Sequence, residues 1–522
     1  MRKYLLIILC FIVKTDVLFA QDCSNRWGDQ GNGTYINPIL NADYSDPDVI
    51  RVGGKYYMVA SDFHFMGMQV LESEDMVNWK LISQVYKRLD FPGFDTNSQY
   101  AGGSWAPSIR YHDGYFRIFF CTPKEGLFMT KSKDAAGPWS PLINVVHVEK
   151  WEDPCPFWDE DGQAYLGRSK HGAGPIIIHK MSADGTRLLD EGKVVYTGPV
   201  AEGTKIHKLN GYYYISIPEG GVEKGWQTVL RSKNIYGPYE RKVVLEQGTT
   251  AVNGPHQGAM VDTPQGEWFF FHFQHCNPIG RVVHLQPMYW KDNWPVVGVD
   301  IDGNGVGEPV KTWKKPNVGK KVAITVPQAS DNFSSPVLSL QWQFNHNPVD
   351  DAWSLTDKKG MLTLKALKAE NFMLARNTIT QKSMGYMGMV VTELDYSAME
   401  DGQRCGLACI GKENVLLGIY MLNGEKWIYE ESNNQMTPVL KLSSGKKIYL
   451  YLQLNAIDNA YQFAYSLDNK HFHLYGNVFS MKFGYWKGVR VGLYCYNTLV
   501  DKGKAAFNWF DYRHDGPTCK KQ

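Results

Sequence analysis

One pattern of apolar and polar positions recurs along the first part of the chain: a short apolar strand, a turn ending in glycine, then an aromatic-rich strand. It appears first as Asp48-Val-Ile-Arg-Val-Gly-Gly-Lys-Tyr-Tyr-Met58. It returns at Ser108–Ile118, Pro156–Leu166, Lys205–Ile215 and Ala259–Phe269. Asp-Gly and Asn-Gly pairs supply the positive φ that tight hairpin turns require. The turn glycines are Gly54, Gly114, Gly162, Gly211 and Gly266, spaced by 60, 48, 49 and 55 residues. A second hairpin follows most of these units, as in Val70–Trp79, Phe128–Trp139 and Val229–Tyr239. Two hairpins make four strands, and four strands repeating every ~50 residues make a propeller blade. The pattern predicts a five-bladed β-propeller over residues 35–312.

After Trp313 the period is lost. Lys314-Lys-Pro-Asn-Val-Gly-Lys-Lys321 is basic and turn-rich, and residues 313–330 read as a linker. From Asp331 to Asp515 short alternating runs such as Met361–Leu367, Lys447–Leu454, Tyr461–Ser466 and Val489–Tyr494 predict an antiparallel β-sandwich. The expected class is therefore all-β, in two domains. The length of 522 residues agrees, because single cores stop growing near ~250–300 residues.

Composition narrows the function. With 43% apolar residues and 13% aromatics, the chain is not of the disordered class. Its net charge of +2 leaves no basic field to neutralise phosphates, so nucleic acid is not the expected partner. Met1–Ala20 has a basic start at Arg2 and Lys3, an uncharged run over Leu5–Val13 and a small residue before Gln21. This describes a secretory signal peptide and predicts a secreted or periplasmic protein. The run is too short to span a bilayer, which takes ~20 residues, and no membrane span is expected elsewhere. Eight cysteines follow the signal, too sparse for a disulfide framework.

In a propeller the innermost strands start together at one mouth of a central channel. Counting back from each turn glycine gives Asp46, Trp105, Asp153, Glu202 and His256, at eight, nine, nine, nine and ten residues. Asp46-Pro47 and Asp153-Pro154 singly suit loop turns, and Glu202, Trp105 and His256 singly suit surface or core. Together, three acids, a Trp and a His at matching places read as an acidic funnel rather than scaffold.

Here the residues resemble a family. Asn37-Pro-Ile-Leu40, Ser45-Asp-Pro-Asp-Val-Ile-Arg-Val-Gly-Gly-Lys-Tyr-Tyr57, Ser104-Trp-Ala-Pro-Ser-Ile109, Glu152-Asp-Pro-Cys-Pro-Phe157, Glu202–Tyr213 and Gly280–Gln286 resemble glycoside hydrolase family 43. The C-terminal part, ending Phe510-Asp-Tyr512, resembles the concanavalin A-like sandwich (a jelly-roll) of many β-xylosidases in that family. The resemblance implies an inverting, exo-acting hydrolase that releases β-D-xylosyl or α-L-arabinofuranosyl ends from hemicellulose fragments. Asp46 would be the general base, Glu202 the general acid, and Asp153 the neighbour that raises the acid's pKa. Arg281 would bind the sugar. Phe63 and Trp105, with Phe65 beside them, would form apolar walls, and His256 would contribute to a calcium site in the channel. No organic cofactor is implied. Glu219, close to the acid's hairpin, would contact a leaving-group sugar or compete for the acid role. Asp48, two residues from Asp46, is a lesser candidate for the base. The sandwich would cap one side of the pocket or bind carbohydrate on its own. The competing readings are a non-catalytic sugar-binding propeller, or a five-bladed glycosidase of another glycan such as fructan. Unlike blades argue against the first, and a missing Trp-Met-Asn-Asp-Pro opening argues against the second.

Overall fold

The structure, a computed structural model, describes residues 13–14 and 25–518. Five four-stranded antiparallel sheets follow one another, each strand pairing with its sequence neighbour. The innermost strands are Asp48–Val52 in blade I, Trp105–His112 in blade II, Trp151–Trp158 in blade III, Lys205–Leu209 in blade IV and His256–Asp262 in blade V. The outermost are Trp79–Gln84, Ile143–Val146, Lys193–Tyr196, Glu240–Leu245 and Trp294–Val297. The blade period read from the turn glycines is thus the observed one.

The aromatic second strands do what their burial demands. Tyr56, Tyr57, Tyr214 and Phe269–Phe271 are buried between or within blades. The propeller ends are tied together by the chain itself. Thr34–Ile36 pairs with Thr312–Lys314, so the strand that leaves blade V returns to the segment that enters blade I. The amide of Ile39 also donates to the Val283 carbonyl in blade V at 2.8 Å.

The C-terminal domain is two large packed sheets. Its inward positions, among them Leu364, Val390, Leu407, Leu417, Leu450 and Phe507, are fully buried and belong to one apolar cluster. That cluster runs on into the propeller through Tyr44, Met66, Phe344 and Met384, so the two domains share a core. The polar seam beside it is buried as well. Lys382 of the sandwich donates to Asp62 of the propeller at 2.9 Å, and the Arg490 guanidinium lies 3.8 Å over the Phe65 ring. Asp43 accepts from the amides of Arg281 and Gly488, each at 2.9 Å.

The expected signal segment lies outside the described residues except Val13–Lys14, whose backbone pairs with His471–Phe472. Among the described residues no helix is long and apolar enough to cross a membrane. Cys121, Cys155, Cys276, Cys405, Cys409 and Cys495 are free.

Breaking a buried ion pair leaves its partner charged and uncompensated, which costs about 3–5 kcal/mol. Lys382→Met is therefore expected to lower unfolding free energy by about that much, measured by denaturant titration. A variant as stable as the parent would show that the seam does not hold the domains.

Candidate active site

The starts of the five innermost strands meet at one mouth of the channel in two interleaved rows. The second row is marked by a left-handed backbone in every blade: Asp46 (φ 55°), Ala106 (40°), Asp153 (57°), Gly203 (63°) and Gln257 (43°). The strand register slips at this kink in blades II, III and V. Residues other than glycine seldom adopt such φ values, and they cluster where surrounding structure forces them. Gly203 has a further reason: a Cβ there would lie 2.6 Å from Pro218. The first row is one residue earlier: Ser45, Trp105, Glu152, Glu202 and His256. Counting from turn glycines merges these rows, so the shared register expected for Asp46, Asp153 and Glu202 is corrected. Asp46 and Asp153 are equivalent, whereas Glu202 is equivalent to Glu152, which the sequence reading passed over.

Asp46 is buried and held by three donors. Ser45 Oγ and Ser61 Oγ reach its Oδ2 at 2.9 and 2.6 Å, and Arg281 Nη1 reaches Oδ1 at 3.0 Å. Ser61 Oγ also accepts from the Ala106 amide at 2.6 Å, which links the kinks of two blades. Asp153 is fixed in the same manner. It accepts from Ser169 Oγ, from the Gly203 amide at 2.8 Å and from Gln257 Nε2 at 3.0 Å. Glu202 has one close partner, His256 Nε2, 2.9 Å from its Oε1, and part of it stays exposed.

Glu152, Asp153 and Glu202 each bring a carboxylate oxygen within 4.8 Å of the others. Like charges this close, in a buried place, cannot all ionise. Burial first, then the charges of Asp153 and Glu202, push the Glu152 carboxyl up to about 9. Burial and the Glu202 charge push Asp153 up to about 6. Burial raises Glu202 too, but the His256 hydrogen bond and the positive groups around it draw it below the ordinary carboxylate range. The proton that Glu202 would deliver therefore belongs to the trio.

Trp105 and Phe63 meet edge to face at 5.6 Å, as walls should. Trp105 also faces His171 at 5.1 Å and Trp486 of the sandwich at 5.8 Å. Trp486 is exposed and lies 6.0 Å from the Arg281 guanidinium, so the second domain supplies a side of the pocket. No local signal in the sequence marks it, because the contact spans two domains. Phe65 is not a wall; it is buried in the domain seam beneath Arg490.

Two further expectations change. Glu219 is fully buried and its oxygens are taken by Tyr196, Trp226, Thr228 and the Arg241 guanidinium. It is a structural anchor of blade IV, neither a sugar contact nor a rival acid. Asp48 lies below the mouth, paired with Arg110 Nη1 at 2.6 Å. Arg110 also reaches Cys155 Sγ at 2.9 Å, and Lys205, fully buried, crosses from blade IV to Ser108 Oγ of blade II at 2.9 Å. The channel beneath the acids is thus bridged by two fixed cations.

Calcium takes six to eight oxygens. His256 offers nitrogen and has Nε2 committed to Glu202; among the described residues it joins no group of three His, Cys, Asp or Glu side chains able to close on a metal. These side chains do not fit a calcium cage at His256. The histidine is a partner of Glu202.

A buried aspartate ringed by donors, a crowded trio of carboxyls and paired aromatic rings meet at one mouth, an arrangement that suits glycoside hydrolysis. Comparison agrees. Residues 35–295 match the model of glycosyl hydrolases family 43, and residues 330–513 match the beta xylosidase C-terminal concanavalin A-like domain. A protein named "Putative beta-xylosidase" from Xylanibacter ruminicola is 55% identical, covering 92% of this chain and 90% of that protein. One named "Beta-xylosidase" from Formosa agariphila is 40% identical, covering 96% and 94%. The crystal structure of the GH43 protein BlXynB from Bacillus licheniformis superposes with a TM-score of 0.80 at 26% identity, covering 92% of this chain and 99% of that one. The chain belongs to glycoside hydrolase family 43.

Glu219→Gln tests its reassignment. Weakening a fully buried, ion-paired carboxylate is expected to lower the melting temperature by several degrees, read by calorimetry, while KM for substrate stays within about twofold. A large KM change at unchanged stability would restore Glu219 to the sugar site.

Proposed function

We propose that the chain removes single terminal β-D-xylosyl units from the non-reducing ends of short hemicellulose fragments by one inverting displacement. The carrying observation is the unequal treatment of two carboxyl centres. Asp46 is surrounded by a guanidinium and two hydroxyl donors, whereas the Glu152–Asp153–Glu202 trio crowds three carboxyls together, which raises Glu152 and Asp153. Inversion needs that pair: a base that deprotonates water on one face of the sugar and an acid that protonates the leaving oxygen on the other. Asp46 takes the water's proton. Glu202, the trio member with exposed surface, gives a proton to the glycosidic oxygen. Arg281, ion-paired with Asp46 at 3.0 Å, orients the base and stands where a bound sugar would meet its guanidinium.

Phe63, Trp105 and Trp486 stand in a row of ring contacts beside the carboxyls, and such walls on one side of the mouth support exo action. The names of the Xylanibacter ruminicola and Formosa agariphila relatives support xylose, with α-L-arabinofuranose the alternative pentose. The basic start and apolar run of Met1–Ala20 support export to the periplasm or the medium.

Nitrophenyl β-xyloside, nitrophenyl α-arabinofuranoside and xylobiose are the test substrates. Asp46→Asn is expected to lower kcat/KM on each substrate that the parent cleaves by about 10²–10⁴-fold. Glu202→Gln should cost as much on xylobiose, and far less on the nitrophenyl glycoside, whose leaving group needs no protonation. A parent enzyme that cleaves none of the three would refute the pentosidase reading and favour a sugar-binding propeller. Trp486→Ala is expected to raise KM for xylobiose by about tenfold while kcat falls less, since a lost aromatic contact of about 1–2 kcal/mol acts on binding. An unchanged KM would remove the sandwich from the pocket.

A further inference from the structure

Glu152 is the buried carboxyl of the trio to which the displacement above assigns no separate step. It occupies in blade III the place that Glu202 occupies in blade IV, one residue before the left-handed kink. Its oxygens lie within the same 4.8 Å cluster as those of Asp153 and Glu202. Towards solvent it meets His171, whose Nδ1 is 3.4 Å from Oε2, and His171 is exposed beside Trp105. Its other oxygen has only the Ala173 amide, a long contact at 3.4 Å. Among the described residues no lysine or arginine pairs with this carboxyl, so no ion pair explains its burial.

We propose that Glu152 is a positioning residue that holds the reserve proton for Glu202, with His171 as its link to solvent. The inference rests on Glu202 being the acid. In the resting site the proton sits on Glu152, because His256 Nε2 favours a carboxylate at Glu202. As the glycosidic oxygen approaches, a water between the two carboxyls takes the Glu152 proton as it gives one of its own to Glu202, the electron pair of the broken O–H bond staying on Glu152. Glu202 then protonates the leaving oxygen. After turnover Asp46, carrying the water's proton, releases it to solvent. Glu152 regains one from solvent through His171, so protons balance over the cycle. The groups facing this path are Asp153, Asp46, His171, His256 and Arg281.

The sign of the pH effect follows. With Glu152 present, the trio keeps its last proton to high pH, by burial and like-charge repulsion. Without it, Glu202 faces one carboxyl fewer and ionises at lower pH. Stability moves the other way. At pH 8 the parent must keep Glu152 neutral against its tendency to ionise when unfolded, and glutamine is relieved of that.

The test is the pH dependence of kcat/KM for the full-length parent, Glu152→Gln and Glu152→Asp, on xylobiose and nitrophenyl β-xyloside, with melting at pH 8. For Glu152→Gln on xylobiose the alkaline limb should fall by at least about one pH unit, the loss growing as pH rises. The nitrophenyl limb should shift less, Glu152→Asp should recover part of the loss, and Glu152→Gln should melt no lower than the parent. An unmoved alkaline limb overturns the proposal, as does equal loss at every pH with a lower melting temperature, which marks a structural role. A parent inactive on both substrates marks instead the failure of the pentosidase reading.

Discussion

Five strands that begin at one axis press their first side chains together, and the repulsion among acids placed there governs the site. Coulomb energy between carboxylates a few ångströms apart in a partly dry place reaches several kcal/mol, enough to keep protons bound near neutral pH. The protein does not dilute this crowding. It divides it, giving Asp46 two hydroxyls and a guanidinium and leaving Glu152, Asp153 and Glu202 to share protons. Base and acid thus arise from similar residues by environment alone. The bridging side chains below, Lys205 and Arg110, place positive charge under the acids; Arg110 ties blade II to blades I and III, and Lys205 reaches from blade IV to blade II.

The same crowding needs a rigid frame. The left-handed kinks of Asp46 and Asp153 are kept by hydrogen bonds that run between blades, through Ser61 to Ala106 and through Gly203 and Gln257. The sandwich extends the frame. Its shared apolar core and the Lys382–Asp62 pair fix the loop that carries Trp486 against Trp105. The second domain is therefore part of the pocket rather than a separate module at the end of a linker.

Much of this is legible in the sequence. Tight turns demand glycine, so the blade period is written in Gly54, Gly114, Gly162, Gly211 and Gly266. Aromatic second strands announce blade-to-blade packing. Asp46, Asp153, Glu202, Trp105, Phe63, Arg281 and His256 do converge. Glu152 escaped because the hairpins differ in length by a residue or two, and a count from the turn cannot see the kink. Pro47, Pro107 and Pro154, each just after a kinked residue, were the better ruler. Glu219 misled because its partner Arg241 lies in the outermost strand of its own blade, where no spacing rule connects them. Trp486 was invisible for the plainest reason: nothing local records a contact made by another domain. His256 lies where the repeat puts it, with Glu202 as its close partner through Nε2.

The account stands on a single displacement, with water activated by Asp46 while the Glu202 trio protonates the leaving oxygen. Proton NMR of the first product formed from a β-xyloside measures it directly, before mutarotation scrambles the sugar. Inversion predicts that the α-anomer of xylose appears first and the β-anomer follows only as the solution equilibrates. If β-xylose is the first product, a glycosyl-enzyme has formed and been hydrolysed, and the division of roles between Asp46 and the trio is wrong.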